Sequence, residues 1–548
     1  MDDELSFWGW GYADRFPDDD ERRELKSQVE TLLGFPERAL MDPPTIDDVT
    51  IPESRLTVPE SLSGIVSTDT VDRVRHTYGR GYRDIVRGFH GEFDAAPDAV
   101  AEPETEGEIE DVLAWATAER VAVVPYGGGT SVVGGVECDP RGDGAAYSGV
   151  VSLSVRALDS VLEVDETSRT ALIQAGATGP ELNDQLAEYD LQLRHYPQSY
   201  EFSTLGGWIV TRAGGHFATR YTHIDDFVES VRMVTPSGSF ETRRLPASGA
   251  GPDPNRLVLG SEGALGVVTE AWMRVQPRPP YRARASVKFR EFDAAVAATR
   301  DIVQARLSPA NCRLLDRNEA MLNEVAMDGS HVLVLGFESV DHPVDDALSR
   351  AIEITETHGG TVDDAPSSEG PHLSDEGDEG RDGTEGDWRS AFFEGPYKFD
   401  ALVSMGVIVD TFETAVTWDQ FPTLHAEIQS QVMDEMEDVC GAGFLSTRFT
   451  HVYPDGPAPY YTLLAPADVG RELEQWRDIK QVASDVIEEY GGTITHHHAV
   501  GRLHRDHYAD ESPAAFRRVL ESAKSSLDPA GVMNPGVLLD ADATGGER

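Results

Sequence analysis

Apolar residues fall into two rhythms along the chain. Short Val/Ile-rich runs at Val121–Val124, Val150–Leu153 and Ala171–Gln174, bounded by Gly and Pro, predict strands. Between them, Glu106–Ala118 and Pro180–Glu188 carry apolar residues at helical spacing. From residue 281 onward, strand-like Arg284–Phe289 precedes helix-like Phe292–Ala305, then strand-like His331–Phe337 and helix-like Pro343–Thr357. That alternation predicts a sheet with helices on one face. Asp19–Leu33 reads as a charged helix stopped near Gly34 and Pro36. Residues 363–387 break both rhythms. They hold ten acidic residues, one Leu and no Ile, Val or Phe, so they are expected to form a flexible acidic insertion.

A chain of 548 residues is too long for one core, so two or more domains are expected. The 97 acidic against 46 basic residues leave a formal charge of −51, which argues against a nucleic-acid binder or a basic membrane-surface protein. Only Lys26, Lys288, Lys398, Lys480 and Lys524 are lysines, the pattern of a halophilic surface whose self-repulsion is screened by concentrated salt. Charge here reports habitat more than function. Cys138, Cys312 and Cys440 are far apart and odd in number, which argues against a disulfide scaffold. The acidic start, MDDELSFWGWGY, lacks the features of a signal peptide, and the best apolar run, Ala401–Val409, is about half a membrane span. A soluble protein of the reducing cytoplasm is expected.

Three small-residue loops carry the first chemistry. Pro125-Tyr126-Gly127-Gly128-Gly129-Thr130-Ser131 follows a strand-like run. Consecutive glycines remove the Cβ barrier and let several N–H groups face one point, as a diphosphate requires. The loop is neither a Walker A loop nor a GxGxxG helix opener, and a plain glycine-rich turn remains the alternative. Gln198–Arg212, which opens Gln198-Ser199-Tyr200-Glu201-Phe202-Ser203-Thr204 with Gly206-Gly207 after it, and Gly260–Thr269, which holds Glu262-Gly263-Ala264-Leu265-Gly266-Val267-Val268, are the other two small-residue segments. Three such loops in one domain could wrap a long phosphorylated cofactor. The run His496-His497-His498 leaves three readings: proton-transfer base, structural run, or metal site. On an extended chain His496 and His498 would share a face while His497 points away, which argues against one metal centre. No metal is expected.

Together these segments resemble the flavin domain of the vanillyl-alcohol oxidase and p-cresol methylhydroxylase superfamily, and within it the alkylglycerone-phosphate synthase branch. The likeness runs nearly end to end. It includes WGWGY at Trp8–Tyr12, RVRHTYG at Arg73–Gly79, PYGGGTS, EFSTLGGWI, SEGALGV, CRLLD at Cys312–Asp316, HVYPDG at His451–Gly456 and THHHAVG at Thr495–Gly501.

The resemblance implies an α+β, two-domain flavoprotein: a discontinuous PCMH-type FAD-binding domain with an inserted α/β cap domain. The expected boundaries are 1–94 for an N-terminal helical segment, 95–280 for the FAD domain, 281–500 for the cap and 501–548 for the returning C-terminal segment. It implies FAD contacts at Pro125–Ser131, at Gln198–Thr204, at Thr211, Arg212, Ala213 and Gly214, and at Glu262–Val268. Where some superfamily members tether FAD through a His, this chain offers Tyr126, so non-covalent FAD is expected.

The same likeness gives His496, His497 and His498 the proton-transfer role and Tyr460 that of an acid/base, although the adjacent Tyr461 leaves open which phenol acts. It gives Arg313 a fixed charge near flavin or substrate, against the bland reading of a salt bridge to Asp316. The implied reaction exchanges the acyl group of an acyl-dihydroxyacetone phosphate for a fatty alcohol through a flavin N5 adduct. The rival is an FAD-dependent dehydrogenase or oxidase of a 2-hydroxy acid. One departure bears on this choice. Where relatives carry Pro-Tyr-x-Arg-Asp, this chain has Phe399 at the Arg position and Lys398 beside it, facing the other way if the segment is a strand. Expected partners are a small-molecule or lipid-precursor substrate and no nucleic acid, with a homodimer left open.

Overall fold

A computed structural model describes residues 4–138, 147–221, 223–363, 367–369, 395 and 397–540. The acidic stretch 363–387 therefore lies outside the described residues, apart from Asp363 and Ser367–Glu369.

The architecture is α+β, built on three main sheets. The first joins β1 (Val66–Ser67), β2 (Ala99–Ala101), β3 (Val121–Tyr126) and β4 (Gly149–Ser154) in the order β1-β2-β4-β3. Both β2 and β3 run parallel to β4, and all three are buried runs, as strands covered on both faces must be. Helix Glu106–Glu119 covers one face through Ile109, Val112, Leu113 and Ala116, and is opened by a capping box at Thr105. The C-terminal segment returns to this sheet. Val123 N–H donates to Val532 O and Asn534 N–H to Val123 O, both at 2.8 Å.

The second sheet is antiparallel, with β5 (Val161–Asp165), β6 (Thr170–Gln174), β8 (Val228–Thr235), β9 (Gly238–Glu241) and β10 (Val267–Arg274) in the order β5-β6-β10-β8-β9. A short pair, β7 (Leu191–Gln192) and β11 (Gln276–Pro277), lies beside it. Helix Leu205–Thr211 packs on β6 and β10 through Leu205, Trp208 and Ile209.

The third sheet contains β12 (Tyr281–Phe289), β13 (Asn311–Leu315), β14 (His331–Ser339), β15 (Thr361–Val362), β16 (Ser367–Glu369), β17 (Val407–Glu413), β18 (Phe444–Val452) and β19 (Pro457–Pro466). Its order is β15-β12-β14-β13-β18-β19-β17, with β16 beside β12. Helices Phe292–Gln304, Asp345–Thr357, Phe421–Cys440 and Glu472–Glu489 close one face in the largest core, which also takes in Trp8, Tyr82 and Phe89 of the N-terminal segment. The period of two along a strand then decides what the other face shows. Cys312, Leu314, Phe449 and Tyr461 enter the core, so Arg313, Arg448 and Tyr460 face the opposite way.

Candidate active site

One cavity runs between the glycine-rich loops and that second face of the third sheet. On the loop side all of Pro125–Ser131 line it, as do Gln198, Ser199, Ser203, Thr204, Thr211, Ala213, Gly214, Glu262, Gly263, Gly266, Val267 and Val268. Six residues of the expected set do not. Tyr200 turns away to donate to Gly179 O at 2.7 Å, Glu201 faces Arg15, and Phe202 packs on Tyr12. Arg212 pairs with Asp225, and Ala264 and Leu265 are buried behind the loop.

The glycines are required by close approach of main chain to main chain. A Cβ on Gly128 would stand 1.9 Å from Phe202 O, and one on Gly127 would stand 2.3 Å from Thr204 Oγ1. Gly129 adds a φ of 66°, which glycine adopts without cost. Thr204 caps helix Leu205–Thr211, its Oγ1 accepting from Gly207 N at 3.3 Å. Glu262 accepts from Val500 N at 2.9 Å and Gly501 N at 2.8 Å, joining the third loop to the segment after the histidines. Burial raises its carboxyl to about 7.

On the sheet side, strand register sets a row. Arg448 on β18 pairs with Tyr460 on β19, and Tyr460 pairs with Glu413 on β17. The Arg448 guanidinium lies 3.9 Å above the Tyr460 ring and donates to Glu319 at 2.5 Å. Tyr460 donates to Thr411 Oγ1 at 2.9 Å, and burial raises its phenol, which keeps it protonated. Tyr461 faces the helix side instead, which resolves the two phenols: only Tyr460 reaches the cavity. Arg313 is 1% exposed, and burial followed by the nearby Arg448 lowers it to about 9. Asp316 is engaged elsewhere, accepting from Glu319 N at 2.6 Å and Thr447 N at 3.0 Å.

The histidine run is not a strand. It is a bend wrapped around the Glu413 carboxylate, which accepts from the main-chain N–H of His496 at 2.7 Å, His497 at 3.1 Å and His498 at 3.0 Å, and from Thr495 Oγ1 at 2.7 Å. Burial pushes Glu413 up, but His497, His498 and His496 outweigh it and hold the carboxyl well below its ordinary value. His497 and His498 line the cavity, whereas His496 lies behind them. Its Nδ1 meets His497 Nδ1 at 3.1 Å, and its Nε2 meets Tyr453 Oη at 2.9 Å and His223 Nε2 at 3.1 Å.

An extended run would set His497 on the opposite face from His496 and His498. In the bend, nitrogens of His451, His496 and His497 lie within 4.8 Å of one another. Both nitrogens of His496 are engaged in hydrogen bonds, and His451 Nε2 contacts Gly215 O at 3.1 Å. The cluster therefore reads as a hydrogen-bonded imidazole network. Burial holds His451 and His496 well below the usual histidine value and lowers His498 to about 3 and His223 to about 4.

A second expectation also changes. Residues 397–403 are helical, not extended. Lys398 is exposed, while Phe399 lines the cavity with Trp10 and Val403. Asp400 on the same turn accepts from Trp10 N at 2.6 Å, fastening the WGWGY segment over the cavity. Missed by the sequence reading were Glu413, Arg448, His223, Tyr453 and Arg80. Arg448 stands on a period-two strand in Leu-Ser-Thr-Arg-Phe-Thr-His, where alternation alone could have flagged it.

A cavity walled by close-packed glycine loops, with Arg313, Arg448, Tyr460 and His497 on its other wall, fits the FAD linked oxidases, and the chain belongs to that family. The FAD binding domain matches residues 97–243, and the C-terminal domain of FAD linked oxidases matches residues 278–538. More narrowly, it belongs with the alkyldihydroxyacetonephosphate synthases. It is 31% identical to that synthase of Dictyostelium discoideum over 498 residues, 86% of this chain and 78% of the relative. A solved alkyldihydroxyacetonephosphate synthase superposes with a TM-score of 0.79 at 25% identity, covering 97% of this chain and 98% of the other. A glycolate oxidase subunit of Bacillus subtilis is 26% identical over 82% of this chain and 91% of its own length. The chain is thus an FAD-dependent enzyme of the alkylglycerone-phosphate synthase type. Among the described residues no helix is long and apolar enough to cross a membrane.

Proposed function

We propose that this enzyme exchanges the acyl group of an acyl-dihydroxyacetone phosphate for a fatty alcohol, using non-covalently held FAD. The observation that carries the reading is the convergence of Arg313, Arg448, Tyr460 and His497 on one wall of the cavity, opposite the glycine loops. FAD, when bound along Pro125–Ser131, Ser203–Thr204 and Glu262–Val268, supplies the electron sink.

The chain's own residues do the rest. His497 takes the proton from the substrate carbon beside the ketone, and Glu413 fixes the ring that receives it. Tyr460, kept protonated, donates to the departing oxygen. Arg313 and Arg448 hold negative charge where water is excluded and its field is strongest. Phe399, Trp10, Ile85 and Val403 give the cavity an apolar wall suited to an aliphatic chain. Arg80 lines the same cavity, and its charge reaches Asp400, the neighbour of Phe399, so it offers the head group a cation there.

The test is product analysis with a labelled fatty alcohol. Incorporation of label into an ether, with release of the fatty acid, is the expected result; free fatty acid without ether, or neither, overturns it. Phe399 itself favours the second reading, oxidation of a 2-hydroxy acid, because an apolar ring replaces the guanidinium that would bind the phosphate head group.

A further inference from the structure

His497, on the wall of the flavin cavity, is one end of a side-chain network that reaches a second cavity. From the flavin cavity the contacts run from His497 Nδ1 to His496 Nδ1 at 3.1 Å, then from His496 Nε2 to Tyr453 Oη at 2.9 Å. Tyr453 Oη also meets His223 Nε2 at 3.0 Å, and His223 Nδ1 is in contact with Arg212 O at 3.2 Å. Tyr453 lines the second cavity, together with Asp455, Glu488, His507, Asp510 and Glu511. His496 lies between the two cavities without lining either.

We propose that His497, His496 and Tyr453 form a proton path connecting the flavin cavity to this acidic second cavity, with Tyr453 as its gate. The proposal rests on the reading of His497 as the base. A proton taken up at His497 Nε2 displaces the one on Nδ1 to His496 Nδ1. The proton on His496 Nε2 passes to the Tyr453 oxygen, and the phenolic proton leaves toward water or the carboxylates of the second cavity. The relay leaves His497 as its Nε2–H and His496 as its Nδ1–H tautomer, and return of a proton along the same contacts restores both rings and the base. Neutral imidazoles suit this task, since each has one donor and one acceptor nitrogen. Glu413 anchors the bend through three main-chain N–H groups, which fixes the spacing of the two rings. A base without such an outlet would hold its proton until product left.

The path can be tested without the physiological substrate. The FAD-loaded full chain, in concentrated salt, is reduced by light with EDTA and mixed with ferricyanide in weak buffer containing a pH indicator. Reduced anionic flavin gives two electrons to two ferricyanides and releases one proton, which must leave the cavity. In the wild type the indicator is expected to change in step with recovery of the flavin band. In Tyr453→Phe, which keeps the ring and its packing, the flavin is expected to recover at the wild-type rate while the indicator lags by about tenfold or more. Tyr453→His, which restores a proton carrier, is expected to shorten that lag. Proton release in step with the flavin in Tyr453→Phe overturns the path. Failure of the acyl-exchange reading would show separately, as absence of ether product from a wild-type enzyme whose proton release keeps step with the flavin while that of Tyr453→Phe lags.

Discussion

The carboxylate of Glu413 holds His497 from two sides, accepting its main-chain N–H at 3.1 Å and facing its Nδ1 at 3.5 Å. Local sequence does not produce such a grip; a contact across more than eighty residues does, bringing the end of β17 to the bend at 495–498. Replacing Glu413 by Gln puts an N–H₂ group against donors that need an acceptor. Glu413→Gln is expected to lower turnover about a hundredfold and stability by about 2 kcal/mol, with the visible flavin band retained. Steady-state kinetics and chemical unfolding in matched salt measure both.

Tyr460 is the phenol that meets the cavity, with its hydroxyl on Thr411. Tyr460→Phe keeps the ring under Arg448 and removes only the proton donor. Turnover is expected to fall about a hundredfold with an unchanged FAD content, whereas Tyr461→Phe, on the core side, is expected to leave turnover within about twofold. Equal losses in the two variants would refute the assignment.

Gly128 has no room for a side chain, since a Cβ would stand 1.9 Å from Phe202 O. Both partners are main chain, so neither can yield cheaply. Gly128→Ala is expected to purify without yellow colour and to unfold earlier than the wild type. Absorbance per chain and a thermal scan check this.

Asp400 is buried, and burial raises its carboxyl to about 8 against an ordinary value of 3.8. Between those values the folded chain keeps a proton that the unfolded chain has lost. Stability from this group is therefore complete below about pH 4 and declines as the pH rises toward 8. Asp400→Asn keeps an acceptor for Trp10 N and cannot ionise. The stability of the variant relative to wild type is expected to increase steadily from pH 5 to pH 8, while the buried histidines, common to both, cancel. A flat difference across that range would contradict the argument.

Much of this was legible in the sequence, because burial alone sets the periods. The run Val121–Val124 lies in β3, Phe292–Ala305 contains helix Phe292–Gln304, and the stop at Gly34 is a left-handed C-cap with φ 70°. The glycine loops were legible for the same local reason. What could not be read were conformations set from far away. The histidine bend takes its shape from Glu413, and the segment after residue 396 is helical where a strand was expected, with Asp400 turned toward Trp10 nearly four hundred residues earlier. Arg448 and Glu413 gained meaning only when the register placed them beside Tyr460.

The most direct test of the acyl-exchange reading is an anaerobic titration of the purified yellow protein in concentrated salt, following the visible flavin band. Acyl-dihydroxyacetone phosphate is expected to perturb the band and release fatty acid with no net reduction, while D-2-hydroxy acids leave it unchanged. Bleaching by a D-2-hydroxy acid, reversed by an added electron acceptor, with no response to the acyl substrate, would contradict the account.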